Sequence, residues 1–147
     1  MAEALPLATI GYEAATQADV IGRLKTARVE LLIDVRAISS SRRPGFSKTM
    51  LAASLAEAGI DYLHLRALGT PKAGREAAHA GRIEETRKIY EAHLEEPDAL
   101  AQLAQATEAS ERRRTALLCY EADAARRHRT IVAERISAVT GAKVMNL

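Results

Sequence analysis

The chain has 147 residues, of which 48% are hydrophobic and 27% charged, with a formal net charge of +2. That is long enough to bury a full hydrophobic core in one domain spanning residues 1–147, and the small net charge excludes assigning a polyanion partner from bulk charge alone. A single cysteine excludes an internal disulfide and a multi-cysteine zinc site, and with no Trp and one Phe the core must be filled by Ala, Leu, Ile and Val.

The opening residues, Met-Ala-Glu-Ala-Leu-Pro, lack the basic and apolar regions of a secretory signal. No apolar run approaches the ~20 residues that span a bilayer. A cytoplasmic protein without membrane contact is expected, and the lone cysteine fits a reducing compartment.

Leu7 to Tyr12 reads as a first strand. Thr16 follows as a helix N-cap, with Asp19 at capping-box spacing and Val20, Ile21, Leu24 and Ala27 on one helical stripe. Val29 to Val35 is a second strand, continuously apolar after Glu30 and so covered on both faces. It ends in Asp34 and Arg36. Ala37 to Phe46 is a loop with a Pro-Gly pair. Ser47 caps the next helix, and Phe46 and Leu51 have hydrophobic-staple spacing. Gly59 stops that helix.

Ile60 to Leu65 is a third strand. Leu68 to Gly81 reads as a long irregular connection, with Gly69, Lys72, Gly74 and Arg75 as a mobile cover over a site. Arg82 to Glu95 is an amphipathic helix, and Pro97 begins another, ending near Ser110. Thr115 to Tyr120 is a buried fourth strand. The last helix is expected to bury Ile131, Val132, Ile136 and Val139, and Ala142 to Met145 forms a fifth strand. The order predicts an α/β fold: one three-layer domain, with a mainly parallel sheet of about five strands and helices on both faces.

Ligands of such sheets bind beyond the strand carboxyl ends. Gly11 and Tyr12, Asp34 and Arg36, His64, and Cys119 with Glu121 all fall at or near those ends. This convergence points to a polar site on one rim. Arg36, Arg42, Lys48 and Arg129 are its candidate anion ligands, since guanidinium groups beside a helix start suit phosphate or carboxylate. Asp34, Glu121 and His128 are candidates to orient groups or move protons. Cys119, near cations and a helix start, is a candidate nucleophile.

Each has a plainer reading. Cysteine is among the most buried residue types, so Cys119 also reads as a core thiol. Asp34 and Arg36 share a strand face and suit a structural pair. His128 and His64 suit packed, hydrogen-bonded histidines. His79 and His93 fall on expected surface and receive no role. No short Cys/His spacing supports a metal, and no cofactor is expected. Nucleic acid is the weaker partner class, because aromatics for base stacking are few. Oligomeric state has no signal.

Thr9-Ile-Gly-Tyr-Glu13, Asp34-Val-Arg36, Ser41-Arg-Arg-Pro-Gly-Phe-Ser-Lys48, Gly59-Ile-x-Tyr62, His64-Leu-Arg-Ala-Leu-Gly69 and Leu118-Cys-Tyr-Glu121 with His128-Arg129 resemble the domain of unknown function 488 family. The resemblance covers almost the whole chain and implies an α/β fold, but no established reaction. Three positions depart from the family's pattern: Ala14 in place of Gly, Ser39 in place of Pro, and Arg127 in place of a second cysteine. The last weakens a dithiol or Cys-His metal reading. The sequence thus supports a small enzyme or ligand-binding domain for an anionic, phosphate-bearing or nucleotide-like molecule, with hydrolysis or group transfer as the nearest chemistry. A nucleic-acid-binding accessory protein and a structural or partner-binding protein are the alternatives.

Overall fold

A computed structural model describes residues 3–120 and 128–147, with the backbone alone at residue 128. The elements run β1 (Leu7–Gly11), α1 (Gln17–Thr26), β2 (Leu31–Asp34), α2 (Lys48–Glu57), β3 (Asp61–His64), a 3-10 turn (Arg66–Leu68), α3 (Lys72–His79), α4 (Ile83–His93), α5 (Pro97–Arg112), β4 (Thr115–Cys119), α6 (His128–Thr140) and β5 (Val144–Asn146). The five strands form one sheet in the order β3-β2-β4-β1-β5, and every pairing is parallel. The expected α/β architecture is what the chain adopts.

The strand order explains the layers. From β1 the chain moves past the β4 position to β2 and on to β3, then reverses to β4 and β5. Right-handed crossovers therefore send the early and late helices to opposite faces. One face carries α1 and α2, where Val20, Leu24, Leu51 and Leu55 pack with Ile10, Leu32 and Leu118. The other carries α4, α5 and α6, where Tyr90, Leu94, Ala106, Val132 and Ile136 pack with Leu7, Ile33 and Leu117. β4 lies at the centre between β2 and β1, so all five of its residues are buried.

Local signals act as their chemistry predicts. The Thr16 hydroxyl accepts from the Asp19 N–H, and the Asp19 carboxylate accepts from the Thr16 N–H, closing the capping box. That second bond holds the Asp19 carboxyl below its ordinary range. Ser47 is the N-cap of α2, but its hydroxyl bonds to Ser41 rather than to the helix. Phe46 and Leu51 pack in the same core, as their spacing predicts.

Two expectations are corrected. Leu68 to Gly81 is not an irregular stretch: it contains α3, with Pro71 as N-cap. Gly74, expected in a mobile cover, sits inside this helix and permits close packing. A Cβ at Gly74 would lie 2.6 Å from the Thr70 methyl and 3.4 Å from Ile89 of α4. Val139 is 74% exposed instead of buried, while Val132 and Ile136 carry the packing of α6. Among the described residues no helix is long and apolar enough to cross a membrane.

Candidate functional site

Strand register brings the predicted rim residues to one level. Gly11 pairs with Cys119, and Asp34 pairs with both Leu118 and His64. The strand carboxyl ends thus meet along one edge, but their side chains leave it in two directions.

Asp34 and Arg36 project to the α1/α2 face. The Arg36 guanidinium donates from Nε to both Asp34 oxygens, at 2.9 and 3.0 Å, and from Nη2 to Oδ2 at 2.7 Å. Its Nη1 donates to the Tyr12 hydroxyl at 3.0 Å and to the Phe46 carbonyl at 2.7 Å. Asp34 accepts two further bonds, from the Arg36 backbone N–H and from the Tyr62 hydroxyl at 2.5 Å. Burial alone would lower the Arg36 pKa, but Asp34 more than reverses this and raises it. Burial, reinforced by the Asp34 carboxylate, also raises the Tyr62 pKa.

Aromatic rings roof this pair. Tyr12 stacks on Phe46 with centroids 4.2 Å apart and meets Tyr120 edge-on at 5.3 Å. The Arg36 carbonyl accepts from His64 Nε2 at 2.7 Å, which puts the imidazole proton on that nitrogen. The basic loop is fastened to the β1–α1 connection. Arg43 donates to the carbonyls of Glu13 and Ala15, and Gln17 Nε2 donates to the Gly45 carbonyl. Arg42 and Lys48 remain exposed on the outer side.

Cys119 belongs to the opposite face. Its thiol is 0% exposed and lies 3.4 Å from Nη1 of Arg129, itself 0% exposed. Arg129 is therefore packed inside the α6 layer and separated from Arg36 by the sheet. The candidates Glu121 and His128 lie outside the described residues as far as their side chains are concerned, as do Asp123, Arg126 and Arg127. Among the described residues no three His, Cys, Asp or Glu side chains converge as a metal site requires.

A cavity of about 550 Å³ opens beside this edge, between the residues that follow β2 and β3 and the start of α5. Arg66, Lys72 and Arg75 line one part of it, and Asp98 and Gln102 another. Its walls are pinned. The Ala67 N–H donates to Gln102 Oε1 at 2.8 Å, the Ala67 carbonyl bonds His93 Nε2 at 2.7 Å, and the Leu68 carbonyl accepts from the Tyr90 hydroxyl. Arg75 Nη1 donates to the Thr70 carbonyl at 2.7 Å. A Cβ at Gly69 would lie 2.2 Å from the Ala37 nitrogen, so only glycine allows this backbone approach.

His93, expected on the surface without a role, is instead partly buried in this wall. Sequence reasoning assigned Lys72 and Arg75 to a cover and passed over Arg66, Asp98 and Gln102. The signal in hand was the length of the connection after β3.

The family profile described as "Domain of unknown function DUF488" matches residues 16–136. The chain belongs to this family. The match runs from α1 into α6, and takes in Asp34, Arg36 and the cavity-lining residues of this DUF488 chain. Nothing among curated proteins or solved structures matches the chain.

Proposed function

We propose that this DUF488 protein binds a small phosphate-bearing anion at the carboxyl edge of its sheet, in the cavity beside β2 and β3. The observation that carries this reading is the set of three cations, Arg66, Lys72 and Arg75, lining a cavity of about 550 Å³. That volume falls within the ~300–1,000 Å³ usual for small-ligand pockets. Guanidinium and ammonium groups on pinned backbone are a natural anion cradle.

In this reading Asp34 and Arg36 are scaffold. Their bonds run to each other and to Tyr12, Tyr62 and Phe46, and they hold the loop that leads to the cavity wall at Ala37 and Ile38. Arg42 and Lys48 add positive potential further along the rim. A nucleic-acid track is less well supported, because Arg43 is committed to two backbone carbonyls. Binding takes precedence over turnover, since the Cys119 thiol is closed off inside the α6 layer.

The test is thermal unfolding with inorganic phosphate and phosphate monoesters, on wild type and on Arg66→Ala and Lys72→Ala. Both side chains are exposed, so the variants should fold. Ligand at 100 times its Kd adds about 2.7 kcal/mol. A rise in Tm that both variants diminish supports the reading, and no rise with any phosphate compound rejects it.

A further inference from the structure

The cavity's charge is divided. Arg66, Lys72 and Arg75 come from the 3-10 turn and α3, while Asp98 and Gln102 come from the first turns of α5. Inorganic phosphate would satisfy the cations, but its P–OH groups are the only donors it can offer a carboxylate. A carboxylate in an anion cradle instead selects a ligand that also carries hydrogen-bond donors. Gln102 has a set orientation, because its Oε1 is occupied by the Ala67 N–H, and Nε2 is left as a donor at the cavity wall. The α5 side therefore offers one acceptor and one donor, a pairing that suits hydroxyl groups.

The lining also discriminates by what surrounds these groups. Its apolar members are aliphatic: Ala37, Ile38, Ala67, Pro71 and Ala101. Among the described residues the ring that contributes is His93, and it is already held. Its Nε2 bonds the Ala67 carbonyl, its Nδ1 lies 3.4 Å from the Glu96 carboxylate, and its ring centroid lies 6.4 Å from that of Tyr90. A nucleobase gains most from an open aromatic face. At the edge, Tyr12 stacks on Phe46 beside Arg36 and meets Tyr120 edge-on instead.

We infer that the cavity takes a sugar phosphate: the phosphate on Arg66, Lys72 and Arg75, the hydroxyls on Asp98 and Gln102. This rests on the proposed anion site and adds the class of molecule it holds. Phosphate supplies the charge that the three cations answer. A sugar's vicinal hydroxyls both donate and accept, as the α5 wall requires. Pre-set hydrogen-bond partners reject ligands that leave them unpaired, so a bare anion binds less well than one carrying hydroxyls.

Isothermal titration calorimetry on the whole chain tests this with ribose 5-phosphate, glucose 6-phosphate, inorganic phosphate, adenosine monophosphate and unphosphorylated glucose. Wild type should bind a sugar phosphate about tenfold or more tighter than inorganic phosphate, roughly the worth of one well-made hydrogen bond. It should also prefer the sugar phosphate to the nucleotide and show no heat with glucose. Asp98→Ala, at an exposed position on α5, should bring the sugar phosphate down to the level of inorganic phosphate while leaving inorganic phosphate binding unreduced. Lys72→Ala should weaken both. Equal binding of sugar phosphate and inorganic phosphate, a preference for the nucleotide, or a sugar preference untouched in Asp98→Ala would each overturn the sugar-phosphate assignment while leaving the anion site standing. No binding of any phosphate compound to wild type would overturn both.

Discussion

Nη2 of Arg36 lies 2.7 Å from Oδ2 of Asp34, two residues back on the same strand end, and both side chains are buried. The pair is completed by Tyr12, Tyr62 and the Phe46 carbonyl, from three different segments. Removing one partner of such a pair leaves an uncompensated buried charge. Arg36→Ala should therefore cost about 3–5 kcal/mol in urea unfolding. Arg36→Lys should recover little of that, because a single ammonium cannot repeat the fork that grips both carboxylate oxygens. Full recovery by lysine would show that charge alone, not geometry, is what Asp34 needs.

Tyr62 and Tyr90 predict how stability falls at high pH. Burial raises both pKa values, and Asp34 adds to the rise at Tyr62. An unfolded tyrosine titrates near 10. Above that pH the unfolded chain gives up phenol protons that the fold retains, so the folded state binds more protons and stability declines as pH rises. Below about pH 10 the contribution is fully present. Tm measured from pH 9 upward should fall, and Tyr62→Phe should flatten the fall. An unchanged slope in Tyr62→Phe and in Tyr90→Phe would assign the loss to other groups.

Gly69 sits against Ala37 with no room for a side chain. The obstructing atoms are backbone, which cannot swing aside. Gly69→Ala should destabilise by about 1–3 kcal/mol and should weaken phosphate binding, since both residues line the cavity. Gly22→Ala is the control, because a Cβ there meets nothing within 4 Å. A helix-interior Gly→Ala change favours the helix by up to ~1 kcal/mol.

Cys119 should be chemically quiet. A thiol at 0% exposure reacts with a disulfide reagent only when the structure opens. Reaction at neutral pH should be slow in buffer and fast in denaturing urea. Fast reaction in buffer would mean that Cys119 is reached from solvent, and would restore it as a candidate nucleophile.

The signals that read correctly from sequence are short-range. The capping box joins Thr16 and Asp19, whose interaction is set by helix geometry alone. Apolar runs punctuated by Gly and Pro gave the order of strands and helices, and the handedness of crossovers then gave the parallel sheet. The stretch Leu68 to Gly81 reads as irregular because Pro71 and Gly74 punctuate it. Pro71 sits where a helix begins, and Gly74 sits where α3 crosses close to α4.

By itself the amino-acid order determined the elements, their parallel arrangement and the edge where polar residues gather. Alternation along a strand also determined that Asp34 and Arg36 share a face. Only the tertiary structure decided that Cys119 faces the other way, because the relative facing of two strands depends on their register. It also decided that Tyr12 and Phe46 take the Nη1 donors of Arg36, and that Arg66, Arg75, Asp98 and Gln102 border one cavity. Those groups lie on three elements, the 3-10 turn, α3 and α5, and no local periodicity encodes a distance from one to another across the fold.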